Sequence, residues 1–521
     1  MNGTERAMPL PTSGADLFLG IDIGTFETKG VLVNGEGQVV ADARRPHSMS
    51  TPAPGHAEHD ADEVWWKGLV TVARELMAQV PADGDAPRLR AVGVSAIGPC
   101  VLPTDADLTP LRPGILYGVD TRASEQITEL TDRLGEGAIF ARGGNHLTSQ
   151  SAGPKILWIK QNEPDVYDRA AWFMTSQSYL VARLTGEVVM DHGTAGYFHP
   201  LYDLAGTRWD TSGCDDFIDT ARLPRLGWAT DVAGPVTDAA AAETLIPAGT
   251  PVIIGTADSP AEAVSSSVVN AGDMMLQYGS STYMIEMLDA PVPHPVLWSA
   301  PYVFPQSYVL AAGTSTAGTL THWLADILDL RERSGSTAEM FGALVALAEE
   351  SPPGANGLLV LPYFSGERTP LHDPDSRGVI AGLTLGHTRG DIARAMMEAV
   401  GHSVAHALDV YASVGRRPRR IFAVGGGTKN TVFLHSVSDI ADLDQTVADT
   451  AGAAFGDAAL AAYAVGYLPT RENILDWCRT GRTVRPDPAT APRLRADHAD
   501  YVRLYEDTRD LIHARATRNR G

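Results

Sequence analysis

Residues 17–33 read LFLGIDIGTFETKGVLV, and this stretch decides the fold. An apolar run, Leu17-Phe18-Leu19-Gly20-Ile21, ends on a carboxylate at Asp22. A tight Gly24-Thr25 turn follows. A second apolar run, Val31-Leu32-Val33, then reaches Asn34-Gly35, a strong hairpin signal. This pattern predicts two antiparallel strands joined by a polar turn. Gly24 lets the backbone approach a ligand closely, and Thr25 and Thr28 offer hydroxyls and amides to an anion. Asp22, an acceptor-only group at a strand end, suits a hard cation such as Mg²⁺, and Lys29 adds positive charge nearby. Carboxylate, small turn and cation make a phosphate–metal corner. On this stretch alone, an ordinary hairpin with polar turn residues is the alternative.

The same shape returns later in the chain. Residues 273–278 (DMMLQY) predict a strand, Gly279-Ser280-Ser281 a small turn, and residues 283–288 a second strand. This is an internal repeat of shape rather than identity. It suggests a duplicated fold with a ligand between the halves, and a chain of 521 residues is too long for one core. Just before the repeat, residues 250–256 (TPVIIGT) form a short buried strand that delivers Asp258 to the start of a small-residue helix. The expected organisation is a disordered leader over residues 1–15, a first domain over 16–258, a second over 259–470 and a helical extension over 471–521.

Between these landmarks, residues 38–43 predict a third strand and residues 44–59 a loop rich in Pro and His. The spacing of His47, His56 and His59 fits no standard metal pattern, so they read as surface or loop histidines. Asp60 caps a helix running to about Val80, whose Trp65-Trp66 pair reads as core or interface rather than a ligand platform. Residues 89–95 and 115–117 predict strands flanking the small, irregular Ser95-Ala96-Ile97-Gly98-Pro99-Cys100. Residues 191–247 are loop-rich. Residues 313–318 (GTSTAG) precede an apolar helix, and a long helix runs from Asp391 to about Val414. A strand over 420–424 meets Gly425-Gly426-Gly427-Thr428 and then a helix from about Asn430. A strand ending in a Gly cluster that opens a helix is a place to lay a nucleotide, with a purely structural turn as the alternative. Neither a Walker A sequence nor Gly-x-Gly-x-x-Gly is present, so P-loop and dinucleotide folds are unsupported.

Composition narrows the partners. The chain is 44% hydrophobic and 20% charged, with a formal net charge of −22. That balance argues against nucleic acid, which needs a basic face, but leaves room for a small anion held by local cations and amides. The three cysteines, Cys100, Cys214 and Cys478, are too far apart for a disulfide framework or a metal site, which points to reducing cytoplasm. The polar start lacks the apolar core of a signal peptide, and no run of ~18 apolar residues suggests a membrane span.

Taken together, these pieces resemble the FGGY carbohydrate kinase family, particularly its xylulokinase-like members, over residues 17–466. Gly20-Ile-Asp22-Ile-Gly24-Thr25 is similar to the family's first phosphate motif. Gly378-Val-Ile-Ala-Gly382-Leu383, followed at the family's spacing by Asp391-Ile392 and Ala395-Met-Met-Glu398, fits the C-terminal signature at every position. Tyr363-Phe-Ser-Gly-Glu367-Arg368-Thr-Pro370 is similar to the loop that precedes it. Lys155-Ile-Leu-Trp158-Ile fits the core of the N-terminal signature, from which Gln150 and Ala152 depart.

The resemblance implies an α/β fold shared with actin and hexokinase: two duplicated, ribonuclease-H-like domains around a cleft. It implies ATP and Mg²⁺ as cofactors and a small sugar or polyol as substrate, with a xylulose-like ketopentose first among these. By position, Asp258 falls on the general base and Asp22 on the carboxylate near Mg²⁺ and the transferred phosphate. Thr25, Lys29, Gly279 and Ser280 match positions near the phosphates. Gly318 and His322 match positions along the nucleotide, and Gly426, Gly427 and Asn430 the adenosine-contacting turn. Gly98, Pro99, Asp120, Arg122 and Ser259 fall on the sugar side beside Asp258. Dimers are frequent in the family, which allows a homodimer. Three departures fall on the sugar side: Ala96-Ile97-Gly98-Pro99-Cys100 replaces the usual Gln-Met-His-Gly stretch, Ser259 replaces Asn or Gln, and Tyr117 replaces Trp. Loss of polar groups at Ile97 and Pro99 predicts a pocket with fewer side-chain hydrogen bonds. A short polyol or a deoxy or branched sugar is therefore a rival substrate, and a non-catalytic nucleotide-gated protein on the same scaffold a rival function.

Overall fold

A computed structural model describes residues 15–81, 88–449 and 452–518. The expected leader lies outside the described residues except for Ala15. The chain divides into two compact units, Met1–Ala271 with Met287–Leu310 and Thr450–Arg479, and Gly272–Glu286 with Ala311–Asp449 and Thr480–Gly521. The units interleave along the chain, whereas the division expected at residues 258 and 470 is linear.

The sheet of the first unit runs Val232–Pro235, Pro251–Ile253, Arg88–Ala96, Asp16–Ile23, Glu27–Asn34, Val39–Pro46, with Thr256–Ala257 also paired to Arg88–Ala96. The opening stretch forms the expected antiparallel pair, Asp22 opposite Lys29, and Asp16–Ile23 also runs parallel to Arg88–Ala96, Asp22 opposite Ser95. Thr256 lies opposite Ser95 on the other side. Leu17, Phe18, Leu19, Ile21 and Ile23 are all fully buried, because a central strand is covered on both faces and therefore reads as a continuous apolar run. One cover is the Ala453–Ala464 helix, AAFGDAALAAYA. It comes so close that a Cβ on Gly20 would collide with the Ala454 carbonyl oxygen, and one on Gly93 with that of Asp457. Parallel strands thus end together at Asp22, Ser95 and Ala257, where open α/β sheets carry their ligands.

The sheet of the second unit contains Tyr308–Thr314, Thr282–Leu288, Asp273–Tyr278, Arg420–Val424, Gln445–Ala448 and Thr480–Val484 in that order. Asp273–Tyr278 pairs antiparallel with Thr282–Leu288 and parallel with Arg420–Val424. This repeats the placing of Asp16–Ile23 between Glu27–Asn34 and Arg88–Ala96, so the internal repeat is one of topology. The long Arg389–Ser413 helix opens on a capping box between Thr388 and Asp391.

Elsewhere the structure revises local expectations. Residues 44–59 are not all loop, since Val39–Pro46 continues the third strand and Glu58–His59 pairs with Gly114–Ile115. The strand expected at 115–117 is reduced to that last pair. His59 is buried rather than superficial, and its Nδ1 accepts from the Trp65 indole at 3.1 Å. Among the described residues, no group of three or more His, Cys, Asp or Glu could hold a metal ion, and no helix is long and apolar enough to cross a membrane.

Candidate functional site

In the first unit, Asp22 is 6% exposed and accepts from the Ser95 hydroxyl at 3.3 Å. Burial, and then the charge of Asp258, push its carboxyl up to about 8, against the opposing pulls of Lys29 and Ser95. Lys29 itself pairs with Glu27 at 3.6 Å. Thr25 shares a 3.1 Å hydrogen bond with the Tyr117 hydroxyl, so the residue that departs from the family's Trp is tied to the turn. Thr28 corrects the sequence reading. It is fully buried, its hydroxyl facing Gly68 rather than an anion.

Asp258 opens the Asp258–Ser265 helix, directly after the short Thr256–Ala257 strand. The Ser259 amide and hydroxyl donate to its Oδ1 at 2.7 and 3.1 Å, and Oδ2 takes neither bond. Burial raises its carboxyl, while Ser259 and Lys29 pull it down. Asp22, Asp258 and Lys29 therefore act on one another within this unit.

Gly98 lies against Ala257, beside Asp258. Ile97 and Cys100 join the hydrophobic core, and Pro99 is buried. The missing polar group at Ile97 is thus a matter of core packing, not of a bare pocket wall. Asp120 and Arg122 are sealed in. Asp120 accepts from the Ala57 amide at 2.7 Å and from Arg122 Nη2 at 2.7 Å, and Arg122 Nη1 pairs with Glu58 at 2.8 Å. Beneath them Lys155 donates to the Leu116 and Tyr117 carbonyls at 2.6 and 2.9 Å. Burial brings its ammonium down to about 8, partly offset by Asp120. These charges hold the segment that carries Tyr117.

In the second unit, Gly279 and Ser280 are exposed at the end of Asp273–Tyr278. The Gly318 amide donates to the Gly279 carbonyl at 3.0 Å, and those of Ala317 and Thr319 to the Ser280 carbonyl at 3.0 and 3.1 Å. A Cβ on Gly318 would press on the Gly279 carbonyl, so glycine is required there. His322 is exposed on the Gly318–Ile327 helix, edge-on to Phe341. Gly425, at φ +89°, and Gly427 both cross Tyr278 so closely that side chains would collide with it. Asn430 caps the Thr431–Ala441 helix, its Oδ1 accepting from the Phe433 amide at 3.1 Å. The two Gly turns thus meet at the carboxyl end of one strand.

Sequence reasoning missed Asp457. It is fully buried, its Oδ2 lies 2.7 Å from the Ser95 hydroxyl, and its Oδ1 has no hydrogen-bond partner among the described residues. Burial raises its carboxyl well above the ordinary range, with Asp22 and Asp258 adding to the shift. The available signal was one carboxylate in a helix of otherwise small and apolar residues.

Residues 17–265 match the model of the N-terminal domain of the FGGY family of carbohydrate kinases, and residues 274–465 that of its C-terminal domain. The xylulose kinase of Escherichia coli K12 is 27% identical over 509 residues, covering 95% of this chain and 100% of that protein. The glycerol kinase of Nocardia farcinica is 29% identical over 512 residues, covering 94% and 98%. The crystal structure of xylulose kinase from Rhodospirillum rubrum superposes with a TM-score of 0.88 at 32% identity, covering 95% of this chain and 100% of that one.

Proposed function

The chain belongs to the FGGY family of carbohydrate kinases and is an ATP-dependent sugar kinase, and we propose that Asp258 is its general base and a xylulose-like ketopentose its acceptor. The observation that carries the assignment of the base is the half-satisfied Asp258 carboxyl. Ser259 fixes Oδ1 and leaves Oδ2 for the proton of the attacking hydroxyl. A raised carboxyl is a better proton acceptor than an ordinary one once ionised, and general-base help is typically worth ~10²–10⁴ in rate. The substrate class is supported by the likeness to the Rhodospirillum enzyme at 32% identity.

Asp22 fits a divalent cation. Its carboxyl is buried beside a second carboxylate, and its hydrogen bond to Ser95 is long at 3.3 Å. Mg²⁺ there would offset negative charge on the transferred phosphate, which asks for only one or two protein carboxylates. Thr25 and Lys29 sit on the same turn and its following strand, and serve the phosphates. In the second unit Gly279, Ser280 and Gly318 offer a close backbone approach to a phosphate chain, and Gly426 and Gly427 to the nucleoside. Asn430 acts through its helix cap, and His322 lies along the nucleotide. Asp120 and Arg122 act on the sugar by holding the Tyr117 segment, since their polar atoms are spent on each other, on the Ala57 amide and on Glu58.

The test is ADP release from Mg-ATP against ketopentoses, tetritols, glycerol, gluconate and deoxy or branched sugars. A ketopentose should be the strongest acceptor. A strong preference for glycerol or a tetritol would move the substrate to the polyols and leave the roles of Asp258 and Asp22 standing.

A further inference from the structure

The loop Tyr363-Phe-Ser-Gly-Glu367-Arg368-Thr-Pro370 stands in the second unit with no role assigned to its two charges. Glu367 is buried, and both of its oxygens are engaged. Oε1 accepts from the Ser315 and Arg368 amides, each at 2.7 Å, and Oε2 from the Ser403 hydroxyl at 2.9 Å. Its hydrogen bonds therefore fix the loop, and it acts on its neighbour's guanidinium through charge alone.

Arg368 reaches the Gly279-Ser280-Ser281 turn. Its Nη2 donates to the Ser281 hydroxyl at 3.2 Å, to the Thr282 carbonyl at 3.4 Å and to the Thr314 carbonyl. All three acceptors are neutral, and one nitrogen makes all three contacts. A guanidinium carries five N–H donors in a rigid fork, so pinning Nη2 also aims Nη1 and Nε. Those two make no hydrogen bond or ion pair among the described residues, and the residue is exposed. In a chain with 41 basic and 63 acidic side chains, Arg368 feels the charge of Glu367 but spends its hydrogen bonds on a hydroxyl and two carbonyls, which leaves the rest of its donor fork for an anion. The exposed Gly279 and Ser280 backbone beside it is where the proposed function places the phosphate chain.

We propose that Arg368 is a phosphate-binding residue, its Nη1 and Nε meeting the phosphate chain of the nucleotide at the Gly279-Ser280-Ser281 turn. The proposal rests on the reading that the second unit holds the nucleotide. A guanidinium recognises two phosphate oxygens at once, which an ammonium does not. It therefore discriminates by phosphate content rather than by base.

The experiment is calorimetric titration of the full chain and of Arg368→Gln and Arg368→Lys with ADP and with adenosine. Wild type should bind both, ADP the tighter. R368Q should weaken ADP by about 10–100-fold, the range for a lost hydrogen bond to a charged group, and leave adenosine unchanged. R368K should recover part of the ADP affinity. If R368Q fails to fold, R368K decides the matter, since it keeps the charge and loses the fork: a weaker ADP affinity with adenosine unchanged is expected. Equal weakening of ADP and adenosine would make Arg368 a strut for the turn and overturn the proposal, as would no change in either. Absence of ADP binding to wild type would instead overturn the nucleotide reading beneath it.

Discussion

The Ser95 hydroxyl lies 2.7 Å from Oδ2 of Asp457, across 362 residues of chain. The same hydroxyl lies 3.3 Å from Asp22. One hydroxyl proton cannot be given to two carboxylates. Burial and Asp22 raise the Asp457 carboxyl well above the ordinary range, and that shift favours an Asp457 that needs no proton from Ser95, whose hydroxyl then serves Asp22. Ser95→Ala should therefore lower kcat by about tenfold or more, the scale of one hydrogen bond to a charged group. Asp457→Asn should stay within a few-fold of wild type, because an amide also offers a donor. Steady-state kinetics compare them directly. An Asp457→Asn enzyme as damaged as Ser95→Ala would mean that Asp457 acts as an anion.

Asp22 carries a pH signature. Its folded-state value of about 8 stands above the 3.8 of an ordinary Asp. Between those limits the folded protein holds a proton that the unfolded chain has released, so raising the pH destabilises the fold. The slope for one such group is up to about 1.4 kcal/mol per pH unit. Without Mg²⁺, melting temperature should fall from pH 5 to 8, and Asp22→Asn should flatten that fall. Adding Mg²⁺ at pH 8 should raise the melting temperature of wild type and not of Asp22→Asn. Identical pH profiles for the two proteins would remove the shifted carboxyl.

Gly20 is needed for packing. A Cβ there would collide with the backbone carbonyl of Ala454, and backbone cannot rotate away. Gly20→Ala should cost at least the upper end of the ~1–3 kcal/mol typical of overpacking. Thermal melts should show a drop of several degrees. An unchanged melting temperature would mean that the Ala453–Ala464 helix gives way freely.

The opening strand pair, the repeat of topology and the placing of Asp258 at the start of a helix were legible because each is written locally, as an apolar run, a small turn and a carboxylate in sequence. Asp457 was not legible, since its meaning depends on Gly20 and Gly93 letting a distant helix settle onto two strands. Thr28 was misread because its side chain packs against Gly68 of the Lys67–Met77 helix, and Ile97 because a strand end can turn a residue into the core. The interleaving of the two units was also out of reach. Residues 287–310 and 450–479 fold with the first unit through contacts that no local pattern announces.

The most direct measurement compares wild type with Asp258→Asn, reading ADP release with a ketopentose and Mg-ATP alongside calorimetric ADP binding. Asp258→Asn should lose about 10²–10⁴ in kcat while binding ADP as wild type does. Near-normal turnover by Asp258→Asn would contradict the assignment of Asp258 as the base.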